Sequence, residues 1–140
     1  MPTVSDAPLL RRPAWSVRLP VDPEYAGLRH VGNLEFARLF QEARLGFSRY
    51  LVGRMQGVQH FGDQMIVHIS MDFAREILWS PDIEVHVRVG NIGRSSYELD
   101  LSIWDGDTVA VRSKTVNVWM EDDAPAPIND KARALLAASR

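Results

Sequence analysis

The sequence reads as an α+β domain, on three observations: one long helix with an apolar stripe, four alternating segments after it, and one before it. Phe36, Phe40, Ala43, Phe47 and Tyr50 recur at alternating four- and three-residue steps, as on a helix buried along one face. A helix this apolar needs a sheet wrapped around it. At 140 residues the chain is one domain, long enough to bury a core.

Residues 1–14 are expected to form a loose arm, since Pro2, Pro8 and Pro13 interrupt them and no apolar signal segment is present. Trp15 to Pro20 alternates and ends at proline, which predicts a first strand. A polar loop from Val21 to Gly32 leads into a helix over about 34–52, with Asn33 as the expected N-cap. Gly53 and Gly57 bracket its exit. Met65, Val67, Ile69, Met71 and Phe73 then alternate with Ile66, His68, Ser70 and Asp72, a period of two.

Pro81-Asp82 marks a turn, and Ile83, Val85, Val87 and Val89 make the cleanest amphipathic strand. Asn91-Ile92-Gly93 supplies turn chemistry before a strand carrying Tyr97, Leu99, Leu101 and Ile103. Asp105-Gly106-Asp107 signals a hairpin. In the last strand Val109 and Val111 sit in one parity and Val116, Val118 and Met120 in the other. That predicts a β-bulge near residues 113–115, or burial on both faces. Residues 122–127 read as a proline-rich linker, and Asn129 as the cap of a short final helix through Ala138.

Composition narrows the chemistry. A net charge of −2 with scattered Lys and Arg argues against a nucleic-acid surface. With no cysteine, disulfides, thiolate metal sites and a cysteine nucleophile are excluded. No segment approaches the ~20 apolar residues of a membrane span. A cytoplasmic protein is expected, with no metal or other cofactor. His68 and His86 are lone histidines on strand faces, and their acidic neighbours make no convincing metal set.

The stretch from His30 to Arg44 resembles the pattern G-H-V-N-N-x-x-Y-x-x-Y-x-E-E-A-R of the hotdog-fold acyl-CoA thioesterases, in the 4-hydroxybenzoyl-CoA thioesterase superfamily. His30, Asn33, Glu42, Ala43 and Arg44 match, whereas Arg29, Gly32 and Phe36 replace Gly, Asn and Tyr. Residues 91–99 resemble the family's strand entry around a Ser-Ser pair, and the run ending at Trp119 its last long strand. The resemblance implies a single hotdog domain over 15–140, in which a curved antiparallel sheet wraps one central helix. It also implies a thioester hydrolase acting on an acyl-CoA or acyl-carrier substrate.

Thioester hydrolysis needs donors for an oxyanion and a carboxylate or base to attack or to activate water. A glycine-flanked polar loop feeding a helix N-terminus suits the first need, and Gly32 and Leu34 are the expected backbone donors. For the second, the family's loop pattern D-x-D-x-x-G-H would place its carboxylates at Glu24 and Ala26, so the commonly catalytic position is alanine. Glu24 is the first candidate base. Glu42, reaching across a subunit interface, is the second, although an Arg38–Glu42 pair explains it more simply. His30 is a candidate for substrate orientation or proton transfer, or a structural histidine; Asn33 would shape the oxyanion site by capping.

Arg94, Ser95 and Ser96 are candidates for holding CoA, with ordinary turn residues as the alternative. A homodimer or homotetramer is expected, with the channel at the dimer interface and Ser113 and Lys114 lining it. Two other functions remain open. One is a degenerate hotdog that binds acyl thioesters without cleaving them, suggested by Ala26. The other is a hydratase using Asp22 and His30.

Overall fold

The computed structural model describes residues 14–28, 30–55 and 63–140, so residues 1–13 of the expected arm at 1–14 and the positions of Arg29 and Gly57 lie outside the described residues. Six strands and two α-helices follow in order: β1 (Trp15–Pro20), a 3-10 turn (Pro23–Leu28), α1 (Asn33–Gly53), β2 (Asp63–Phe73), β3 (Asp82–Ile92), β4 (Ser96–Asp105), β5 (Thr108–Glu121), β6 (Ala124–Pro125) and α2 (Asp130–Ala138). The strands form one antiparallel sheet in the order β1-β3-β4-β5-β2, with β6 on the end of β5. The sheet curls around α1. This is the hotdog fold.

The helix buries Phe36, Leu39, Phe40, Ala43, Phe47 and Leu51 against Val85, Val87 and Val89 of β3, Leu99, Leu101 and Ile103 of β4, and Val111 of β5. Tyr50, the last residue of the expected stripe, is only half-buried and stacks on Phe47 and Trp15. At the far end Asn129 accepts from Ala132 N at 2.8 Å and caps α2 as expected, and Ala132 and Leu136 enter the core. Gly106, at φ 61°, makes the hairpin between β4 and β5. The expected linker at 122–127 instead turns back through Asp122 and Asp123, both in the left-handed region, to add β6.

One strand expectation is corrected. β5 has no bulge at residues 113–115 and is not buried on both faces. Ser113, Thr115, Asn117 and Trp119 continue the inward parity of Val111, so small polar side chains take inner-face positions while Val116, Val118 and Met120 stay half-exposed. The irregularities fall elsewhere, at Ala110 opposite Ile103/Trp104 and at Val67 opposite Val116/Asn117. β2 alternates in sequence but buries no face. It is an edge strand, and Met65, Ile66, Val67, Ile69 and Phe73 are each roughly half exposed.

Candidate functional site

The loop between β1 and α1 is held at both ends by the connection between β2 and β3. Val21 N donates to Pro81 O at 3.0 Å, and Trp79 Nε1 to Asp22 O at 3.0 Å. Val31 N donates to Ile77 O at 3.0 Å, beside a bridge between His30 and Leu78. Inside the loop the Asp22 carboxylate accepts from Glu24 N at 3.0 Å, which starts the 3-10 turn and fixes the backbone under Glu24. The Glu24 side chain itself stands in solvent.

One buried carboxylate ties this loop to the helix, and periodicity alone did not single it out. Glu35 is 4% exposed and accepts from Asp22 N at 2.7 Å, from Arg38 Nε at 2.6 Å and from Arg38 Nη2 at 2.8 Å. Its bonds to Arg38 outweigh burial and hold its pKa below the ordinary glutamate value, with help from the Asp22 N–H. Arg38 also reaches Pro20 O at 3.0 Å. The expected Arg38–Glu42 pair is thus corrected: Arg38 is engaged by Glu35, one turn nearer the N-terminus, and half-buried Glu42 acts on it only through its charge. The missed signal was the four-residue spacing that puts Glu35 in line with buried Leu39 and Ala43.

The helix start also differs from expectation. Gly32, not Asn33, is the N-cap: its carbonyl accepts from Glu35 N at 3.1 Å and Phe36 N at 3.2 Å, and no side chain caps the helix. Asn33 is the first helical residue and is exposed, as is Leu34 at 77%. Among the described residues no acceptor meets the N–H of Gly32, Asn33 or Leu34. Unfilled donors at the positive end of a 21-residue helix suit a carbonyl oxygen that gains charge. His30 lies two residues before the cap, exposed, with Nδ1 3.8 Å from Glu76 Oε2.

The structure therefore brings Glu24, His30, Gly32, Asn33 and Leu34 to one end of the sheet. It does not bring the others there. Glu42 lies ten residues along α1 from Gly32, about 15 Å away at the rise of an α-helix. Arg94, Ser95 and Ser96 form the β3–β4 turn at the opposite end, about 30 Å away along the ten residues of β4. There Gly93 N donates to Ser96 O, Trp119 N to Ser95 O, and Arg133 to the carbonyls of Gly93 and Arg94. Ser113 is corrected outright: at 1% exposure on the inner face it lines no surface, while Lys114 faces outward and pairs with Glu98 at 3.1 Å. Among the described residues no three His, Asp or Glu side chains converge as metal ligands.

With this arrangement in view, sequence comparison decides the family: the Thioesterase superfamily model matches residues 32–111, from the helix cap to the start of β5. The chain belongs to the Thioesterase superfamily. Thioester hydrolysis is the chemistry of that superfamily. Solved structures agree on the fold. The chain is similar to a thioesterase from Thermus thermophilus crystallised with coenzyme A and zinc, at 27% identity and a TM-score of 0.74 over 90% of this chain and 93% of that one. It is also similar to a Pseudomonas aeruginosa protein, at 19% identity and a TM-score of 0.73 over 94% of each chain. A 1,4-dihydroxy-2-naphthoyl-CoA thioesterase from Synechocystis shares the fold at 16% identity and a TM-score of 0.67, over 88% of this chain and 95% of that one. No curated protein matches the sequence significantly. Among the described residues no helix of this superfamily member is long and apolar enough to cross a membrane.

Proposed function

We propose that this protein is an acyl-CoA or acyl-carrier thioesterase, with Glu24 as its base. The observation that carries the proposal is the capping arrangement at α1, where, among the described residues, three consecutive N–H groups lack acceptors beside the loop that presents Glu24. The thioester carbonyl oxygen lies against those donors. Glu24 takes a proton from water as the water oxygen bonds to the carbonyl carbon, and the donors hold the resulting oxyanion. When the carbon–sulfur bond breaks, the thiolate leaves and recovers the proton from Glu24. Glu24 keeps the carboxylate of the first acidic position of the family's loop pattern, two residues before Ala26. Glu42 is the second choice. The CoA-bound neighbour from Thermus supports CoA as the carrier.

The proposal includes a homodimer at minimum, joined through β2. Among the described residues β2 pairs only with β5, and its other edge is flanked by half-exposed Met65, Ile66, Val67 and Ile69. Bare apolar edges of this length are covered in stable proteins. Antiparallel pairing of two such edges about a two-fold axis sets the Arg94–Ser96 turn of one protomer at the end of the sheet where the other presents its helix cap. In this assembly Arg94, Ser95 and Ser96 contact CoA from the partner side.

The test is hydrolysis of short, medium and aromatic acyl-CoAs, followed with a thiol-detecting reagent. Turnover of at least one class supports the reading; a folded sample that binds CoA and turns over none contradicts it. The rival reading, acyl-thioester binding without cleavage, rests on Ala26. A large gain of activity in Ala26→Asp favours it.

A further inference from the structure

We propose that Tyr25 is a catalytic residue of this site, its phenol O–H donating to the thioester carbonyl oxygen beside the N–H groups of the α1 cap; this rests on the thioesterase reading. The argument begins with Gly32. Its φ of −77° and ψ of 160° are open to any residue, so the backbone does not demand glycine there. Its surroundings do. A Cβ at position 32 would stand 3.0 Å from Cε1 of Tyr25, 3.7 Å from Cζ and 3.7 Å from the hydroxyl oxygen. The ring of Tyr25 therefore occupies the space that a side chain at the cap would fill.

The resembled family pattern carries asparagine at this position, so Gly32 removes a polar side chain just where Tyr25 brings a polar group in. The exchange moves the polar function from the cap residue to the preceding loop. Tyr25 is half-buried, and its N–H donates to Asp22 O at 3.2 Å, within the loop segment that Glu35 anchors. Among the described residues its hydroxyl has no hydrogen-bond partner. A half-buried phenol beside the backbone N–H groups of the cap is a preorganised donor set for one oxygen atom.

In the reaction Tyr25 keeps its proton throughout. Water adds to the carbonyl carbon, Glu24 accepts the water proton, and the phenol bond shortens as charge collects on the oxygen. The thiolate then leaves and takes the proton from Glu24. The contribution of Tyr25 is thus realised mainly in the transition state and reads out in kcat more than in KM.

Tyr25→Phe tests this, because it keeps the ring that packs on Gly32 and removes only the hydroxyl. The expected result is a kcat lower by about 10- to 100-fold, on the scale of losing one oxyanion donor, with KM within about twofold. A Tyr25→Phe enzyme with wild-type kcat overturns the inference and leaves the thioesterase reading standing. A wild type inactive on every acyl-CoA overturns the thioesterase reading, and calorimetry then judges Tyr25 separately. The probe is a dethia acyl-CoA ketone, in which methylene replaces sulfur and the carbonyl is kept. Binding to wild type at least about fivefold tighter than to Tyr25→Phe, with free CoA binding both alike, supports donation to the carbonyl. Equal binding of the ketone, or a matching loss for free CoA, contradicts it.

Discussion

Arg38 grips both oxygens of the buried Glu35 carboxylate, at 2.6 and 2.8 Å, and the same carboxylate holds Asp22 N at 2.7 Å. The Asp22 N bond thus fastens the loop that carries Glu24 and Tyr25 to the first turn of α1, and the two Arg38 bonds hold the carboxylate in place for it. Glu35→Gln keeps the shape but loses the charge, leaving the Arg38 guanidinium without its counter-ion. Because Arg38 is 45% exposed, water takes over much of its lost partner, and the expected destabilisation is about 1 kcal/mol, to be read by chemical denaturation. The pH dependence follows from the lowered pKa. The native state favours the ionised form more than the unfolded chain does, so this stabilisation is present above the unfolded glutamate pKa. It drains away as pH falls below that value and through the folded pKa. Wild type is therefore expected to lose more stability than Glu35→Gln as the pH is lowered through the carboxylate range.

Gly46 sets a contest between propensity and space. Alanine in a helix interior gains about 1 kcal/mol over glycine. A Cβ at position 46, however, would stand 2.7 Å from Cη2 of Trp15, whose ring is packed against Phe47 and Tyr50. Overpacking of this kind costs about 1–3 kcal/mol. The clash wins, and Gly46→Ala is expected to lower the melting temperature.

The polar lane on the inner face of β5 predicts opposite outcomes for two neighbours. Ser113 is 1% exposed and its hydroxyl has no partner among the described residues, so Ser113→Ala is expected to be neutral or to stabilise by about 1 kcal/mol. Thr115 Oγ1 accepts from Asn117 Nδ2 at 3.2 Å, and Thr115→Val strands that buried amide. A loss of about 1–2 kcal/mol follows, read by the same denaturation assay.

Ile69→Lys probes the bare edge. Ile69 is 53% exposed, so a lysine there is tolerated within one protomer but puts two like charges into an interface formed by two copies of β2. The expected result by light scattering is a shift from dimer or larger to the 15.8 kDa monomer, with loss of thioesterase activity. A dimer that survives Ile69→Lys contradicts assembly through β2.

Much of the fold was legible because its signals are local. The stripe from Phe36 to Phe47, the alternation of residues 83–89 and the Asn129 cap each arise from one segment, and each lies where its pattern places it. What depends on strand order was not legible. The alternation in β2 promises a buried face, but only its place at the end of β1-β3-β4-β5-β2 leaves that face bare. In β5 the valines at 116 and 118 suggest a phase change, whereas the inward positions belong to Ser113, Thr115 and Asn117, which share the parity of buried Val111. At the site, Asn33 has the right chemistry for a cap, but the chain turns helical one residue earlier. The link from Glu35 to Asp22 and the packing of Tyr25 on Gly32 join residues from different elements, and periodicity records neither.

The most direct test of Glu24 as base is the steady-state kinetics of Glu24→Gln on the best acyl-CoA found in the panel. Glu24 is exposed and its side chain supports no packing, so the variant should fold with stability within about 0.5 kcal/mol of wild type. A base that activates water is worth about 10²-fold or more. The predicted result is a fall in kcat of that size with KM nearly unchanged. A Glu24→Gln enzyme that hydrolyses acyl-CoA at the wild-type rate contradicts it.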